Sequence, residues 1–229
     1  MALTPLNSDV VVIGAGTSGL SAAKSLKDIG YSVIVIEAAN HIGGRCVTDN
    51  SIFDIPFDIG GSWLHSAATN PLAEIAVQNN FKLHKKDWSH TWVHSNGVNL
   101  SSKQTKEYSQ YIENMWQNIN KAGEKKKDQS VEKSLTEAKW LNIAKNQIAP
   151  MLGADPDVCS AHDVFNFTNT EGDWLVENGL GAFIKYLYKD VEVITNCAAT
   201  KIDYSSSGVK VETPDGVINA TYAVLTVST

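Results

Sequence analysis

Three glycines and one carboxylate are the residues of this chain best spaced to do chemistry. Gly14, Gly16 and Gly19 form a G-x-G-x-x-G turn, and Glu37 follows about 20 residues on, the spacing at which an acid answers such a turn in a dinucleotide site. The first glycine permits a tight strand-to-helix turn, the second lets backbone approach a pyrophosphate, and the third lets helix and strand pack closely. Thr17 and Ser18 are the two residues between the second and third glycines, at the helix start where unpaired N–H groups and a partial positive charge suit phosphate. Glu37, with Ala38 beside it, can accept hydrogen bonds from both ribose hydroxyls, and its charge repels a 2′-phosphate.

The elements needed to hold these groups can be read on either side. Asp9 to Ile13 is an apolar run fit for a buried parallel strand. Ser18 to Ile29 carries Leu20, Ala23 and Leu26 at helical spacing, Gly30 is placed to stop the helix, and Ser32 to Ile36 reads as a second strand. An ordinary strand–turn–helix corner would need no acid at the end of the second strand. Dinucleotide binding is the better reading.

Downstream of Glu37, Gly43-Gly44-Arg45 adds a second glycine pair and a planar, permanently charged fork suited to phosphate. This stretch resembles the G-G-R element of the flavin amine oxidase superfamily. In that family the arginine lies near the pyrophosphate of FAD, so the resemblance implies FAD rather than a nicotinamide. Residues 57–65 read FDIGGSWLH, with Asn70-Pro71-Leu72 after them, and they resemble the D-x-G-(G/A)-x-W-x-H…N-P element of the polyamine and spermine oxidase branch. By that resemblance Gly60, Gly61, Ser62 and Trp63 are neighbours of the flavin ring, and His65 orients the amine. Glu171-Gly172-Asp173-Trp174 and Asn178-Gly179-Leu180-Gly181 resemble the return from substrate domain to FAD domain. In that register Ala199 brings its backbone to the adenine. Glu171 and Asp173 are candidates for a carboxylate near a cationic amine, against the plainer reading of solvated loop acids.

The implied fold is α/β, an FAD-linked Rossmann-type domain with a mostly helical inserted portion of a substrate domain. Residues 1–65 are the first part of the FAD domain, 66–175 the inserted portion, and 176–229 the returning strands. Within the insertion, residues 70–80 read as a helix and Asn96-Gly97 as a hairpin turn. Lys103 to Asn120 reads as an amphipathic helix with Tyr108, Tyr111, Met115 and Ile119 on one face, and Val131 to Ala149 as a second helix ending at Pro150. Strands are expected at 191–194, 198–204, 208–213, 217–219 and 222–227, with Asp215-Gly216 as a hairpin turn.

Composition narrows the partners. With 43% apolar and 19% charged residues the chain is globular rather than disordered or fibrous. A net charge of −6 argues against nucleic acid or an anionic membrane. Cys46, Cys159 and Cys197 are scattered, and His84, His90 and His94 have no acid partner at ligand spacing, so no metal is expected. The N-terminus MALTPLNSD lacks a basic region and apolar core, and no run approaches the ~18 apolar residues of a membrane span. A cytoplasmic protein is expected, with the sequons at Asn166 and Asn219 unglycosylated.

The resemblance implies an oxidase that passes a hydride equivalent from the carbon beside an amine to FAD, giving an imine, with dioxygen as final acceptor. In the family the polypeptide continues for about as long again past the point where this sequence stops. The expectation is therefore the N-terminal half of such an oxidase, inactive alone and associating through an exposed core, with a complementary C-terminal chain as a candidate partner. Two alternatives stand: a non-catalytic FAD-binding subunit, and another G-G-R flavoenzyme such as a desaturase or porphyrinogen oxidase.

Overall fold

Val10 to Ile13 are at most 5% exposed, which requires cover on both faces of the first strand, as parallel strands have. The computed structural model describes residues 5–85, 94–95, 97–167, 172–205 and 207–228. It begins with strand β1 (Leu6–Ile13), helix α1 (Thr17–Asp28) and strand β2 (Val33–Ile36). Two short hairpin strands, β3 (Thr48–Asp49) and β4 (Phe57–Asp58), precede β5 (Trp63–Leu64), α2 (Pro71–Gln78) and β6 (Leu83–Lys85). Then come β7 (His94–Ser95), β8 (Val98–Asn99), α3 (Ser102–Gly123), α4 (Leu141–Leu152) and α5 (Ala161–Asn166). The chain closes with β9 (Trp174–Val176), α6 (Leu180–Leu187), β10 (Lys201–Asp203), β11 (Val209–Thr213) and β12 (Gly216–Leu225).

These elements group into two compact units, residues 1–86 with 170–229, and residues 87–169. The first is built on a five-stranded sheet of order β10-β11-β12-β1-β2. β12, β1 and β2 run parallel, with Ile13 opposite both Leu225 and Ile36, so their carboxyl ends share one edge. Val10, Val12 and Val35 pack with Leu20 and Ala23 of α1 and Phe183 and Ile184 of α6. Val11, Ile13 and Ile36 point the other way, against Val211 and Ile218. A second sheet, β5-β9-β6, and helix α2 belong to the same unit.

The other unit is helical. Tyr108, Tyr111, Met115 and Ile119 of α3 are buried with Val131, Trp140, Ala144 and Ile148, so the aromatic stripe is packing surface. Ser101 and Gln104 form a capping box that starts α3.

Several expected boundaries move. The strands expected at 217–219 and 222–227 are one continuous strand, β12, which ends at Leu225, two residues short of the expected end, and lies inside the sheet between β11 and β1. Thr213 pairs with Gly216, which makes Pro214-Asp215 the hairpin loop. The strand expected at 191–194 is a single parallel bridge from Ile194 to Ile36. The left-handed backbone of Asn196 (φ 55) turns the chain away there.

The helix expected over Val131 to Ala149 is a 3-10 turn (Val131–Ser134), an extended link and α4. The N–H groups of Val131 and Glu132 bond to the Cys159 and Pro156 carbonyls, and the helical path ends where Leu135, whose N–H bonds to the Glu132 carbonyl, takes an extended backbone (φ -79, ψ 142). Pro150 sits inside the last turn of α4, and Gly153 (φ 73) ends the helix. Among the described residues no helix is long and apolar enough to cross a membrane.

Candidate functional site

A cleft of about 510 Å³ opens at the shared carboxyl edge of β1, β2 and β12, where open α/β sheets bind ligands. Gly14, Gly16, Thr17, Ser18, Glu37, Ala38, Gly43, Gly44, Arg45 and Ala199 all line it. Residues spread over more than 180 positions of sequence are thus brought to one place.

The glycines serve different purposes. Gly14 has φ 104, a backbone state that side chains disfavour. Gly19 does not line the cleft; a Cβ there would lie 1.9 Å from the Gly14 carbonyl oxygen, so its bare backbone is what lets α1 press against the β1 turn. The two glycine loops are also joined. Gly43 N–H donates to the Ala15 carbonyl at 2.8 Å, Gly16 and Gly43 form a parallel bridge, and a Cβ on Gly44 would meet Gly16 Cα at 3.0 Å. Arg45 follows directly on this second loop. Helix α1 begins at Gly16 with no side-chain cap, leaving its first-turn donors facing the cleft.

Glu37 is fixed from two sides. One carboxylate oxygen accepts the Ala15 N–H at 2.7 Å and the other accepts Ala39 N–H at 2.8 Å. An ionised carboxylate has about four acceptor positions, so each oxygen keeps one for a ribose hydroxyl. The donor loops, the arginine and this acceptor fit the diphosphate and ribose of FAD.

The remaining expected residues fall elsewhere in the same unit. Gly61 N–H donates to the Arg45 carbonyl at 2.9 Å, and a Cβ on Gly60 would lie 2.1 Å from that oxygen, so this turn abuts the Arg45 end of the cleft. Ser62 lines a separate pocket of about 310 Å³ with Asp58, His84 and Glu177. Trp63 lies in β5, paired with Leu175. His65 is exposed, with Nδ1 2.7 Å from a carboxylate oxygen of Asp173, a partly buried side chain. Its carbonyl accepts from Asn70, whose side chain also caps α2. Glu171 lies outside the described residues, as does residue 90 between the other histidines.

Sequence reasoning missed Cys46, Cys197, Ala198 and the segment Thr226 to Ser228, which also line the cleft. Thr226 Oγ1 lies within 3.1 Å of both the Ile13 and Gly14 carbonyls. The signal for it was the strand before it, but nothing local says that this strand lies beside β1.

Comparisons with known proteins give the family and the fold. The family pattern described as flavin containing amine oxidoreductase matches residues 17–152 and 150–229. Polyamine oxidase 4 of Oryza sativa subsp. japonica is 27% identical over 235 residues, covering 90% of this chain and 48% of that protein. Polyamine oxidase 2 of Arabidopsis thaliana is 49% identical over 67 residues, 29% of this chain and 14% of that protein. The chain therefore spans about half the length of the rice relative. Wild-type putrescine oxidase bound to putrescine superposes with a TM-score of 0.69 at 22% identity, over 98% of this chain and 59% of that one. A redesigned double mutant of the same oxidase gives 0.72 at 21% identity, with the same shares. Those two likenesses bear on the fold. The family match extends over far more than half of the sequence, and the chain belongs to the flavin-containing amine oxidoreductase family.

Proposed function

We propose that this chain is the N-terminal, FAD-holding portion of an FAD-dependent oxidase of polyamine-like amines, with a Rossmann-type cofactor unit. The observation that carries the reading is the cleft in which two hydrogen-bonded glycine loops, Arg45 and Glu37 meet. Bound FAD would supply the hydride acceptor for the carbon beside the amine nitrogen, and dioxygen would be the final electron acceptor. The chain's own work is to bind and orient. The start of α1 and Arg45 hold the diphosphate, Glu37 the ribose, and the Ala199 backbone the adenine. The turn Gly60, Gly61, Ser62 and Trp63 lies along the flavin ring, which its bond to the Arg45 carbonyl supports.

His65 and Asp173 form the amine-orienting pair. With Asp173 accepting Nδ1–H, the Nε2 lone pair is free to accept from an amine, and the carboxylate adds attraction for a cation. In the complete enzyme, His65→Ala is expected to lower amine oxidation about 10²-fold, the order that a misplaced substrate costs, while flavin content and spectrum stay unchanged. Loss of flavin in the variant would make His65 a structural residue instead.

The amine pocket would be completed by polypeptide matching the remaining half of the relatives, whether in the same chain or in a complementary one. The cluster of Ile52, Phe53, Ile55 and Phe57, 47% to 66% exposed on the β3–β4 hairpin, supports such cover. The three free cysteines support a reducing, cytoplasmic setting. A second reading, an FAD-binding portion with no turnover of its own, is favoured by the 48% coverage of the rice relative; amine-dependent peroxide release separates the two.

The cofactor itself is tested by heating the purified protein and identifying the released chromophore, with reconstitution where little is carried. FAD is expected. A preparation that refuses FAD and binds NADH tightly would overturn the reading.

A further inference from the structure

Helix α6 cannot cap itself. Its N-cap is Gly179, at φ 90 and without a side chain, yet its first-turn donors are all met from another hairpin. The Asp58 carboxylate accepts Leu180 N–H at 2.8 Å through one oxygen and Gly181 N–H at 3.3 Å through the other. Thr48 Oγ1 accepts Ala182 N–H at 2.9 Å and donates its own proton to Asp58 at 2.5 Å. A negative charge at a helix start, bonded to backbone donors, is stabilising.

The approach is close. A Cβ on Gly179 would lie 2.4 Å from the Thr48 side chain, and one on Gly181 would lie 2.4 Å from Thr48 N and 2.7 Å from the Cys46 carbonyl. The glycines of Asn178-Gly179-Leu180-Gly181 are thus docking surfaces for the strand that leaves Arg45. From Asp58 the chain runs straight back to the cleft. Ile59 N–H donates to the Val47 carbonyl and Gly61 N–H to the Arg45 carbonyl, each at 2.9 Å.

Resting on the FAD reading above, we propose that Asp58, acting with Thr48, is a positioning residue for the cofactor. It pins the hairpin to α6, and the hairpin in turn fixes the backbone that presents Arg45 to the cleft. Asp58 does not line the cleft, so its effect on the cofactor has to pass through Arg45 and the Gly60-Gly61 turn.

The test is a set of FAD titrations of the 229-residue protein, followed by flavin fluorescence and visible circular dichroism. Asp58→Ala is expected to weaken FAD binding about tenfold, comparable with losing one charge-assisted bond, and to change the visible dichroism of the bound flavin. Thr48→Val should weaken binding in the same sense, and Thr48→Ser, which keeps the hydroxyl, should restore the wild-type value. In an Arg45→Ala background, Asp58→Ala should cost clearly less than in the wild type, because the part of its effect that passes through the Arg45 side chain is already lost. A folded Asp58→Ala with wild-type affinity, or full additivity with Arg45→Ala, overturns the proposal. Where Asp58→Ala does not fold by far-UV dichroism, Asp58→Asn gives the same test: it keeps the shape and loses the charge, and an unchanged affinity sinks the idea. Wild-type protein that binds no FAD overturns the cofactor reading and this proposal together; wild-type binding with unaffected variants overturns this proposal alone.

Discussion

Gly19→Ala is expected to abolish FAD binding and to lower the unfolding free energy by about 3 kcal/mol or more, the upper end for sites that are overpacked. The new methyl carbon would lie 1.9 Å from the Gly14 carbonyl oxygen and 2.7 Å from Thr226 Oγ1. The first of these is backbone and cannot swing aside. It also accepts from Thr226, so the clash reaches the end of β12 as well. Relief requires α1 to lift off the β1 turn, and that turn is one wall of the cleft. Gly30→Ala is the control. Gly30 has φ 95 with no atom within 4 Å of the added carbon, so it should cost about 1 kcal/mol of backbone strain and leave FAD affinity alone. Urea unfolding and FAD titration of both variants measure this. A Gly19→Ala protein with wild-type midpoint and affinity would show that helix and turn are not in forced contact.

The same glycine marks how far the sequence could be read. β1, α1 and β2 were legible because each has its own period and the turn between them has its own chemistry, so the phosphate loop and Glu37 could be placed before any fold was seen. Gly43, Gly44 and Arg45 were legible as a phosphate element by resemblance, but not as a loop bonded to Ala15. β12 was the hard case. Its pairing with β1 joins positions more than 200 apart, and periodicity carries no information on which strand will be a neighbour. Thr226 and Val227 therefore read as a strand end, whereas they and Ser228 form cleft wall. The helix expected from Val131 stops after one 3-10 turn because Leu135 takes an extended backbone, and the Val131 and Glu132 N–H groups tie that turn to the distant Cys159 and Pro156 carbonyls, contacts that no local period reveals. Asp58 looked like one letter of a motif, and only the position of α6 gives it partners.

Glu37→Ala is expected to raise the FAD dissociation constant roughly ten- to a hundredfold, the loss of a charge-assisted ribose contact worth about 1.5–3 kcal/mol. The structure adds a second consequence. The carboxylate also accepts the Ala15 and Ala39 N–H groups, so its removal leaves two partly buried donors unmet and should cost the fold about 1–3 kcal/mol. The two effects can be separated with Glu37→Gln. The amide keeps one carbonyl oxygen and turns a donor toward one of the two N–H groups, so the loop is strained and the charge is gone. If the ribose depends on the carboxylate, Glu37→Gln should bind FAD weakly even under conditions where it is fully folded. An FAD affinity unchanged in folded Glu37→Gln and Glu37→Ala would mean that this carboxylate serves only its own loop. The ribose would then be held by another group, with the backbone around Ala38 the nearest alternative in the cleft wall.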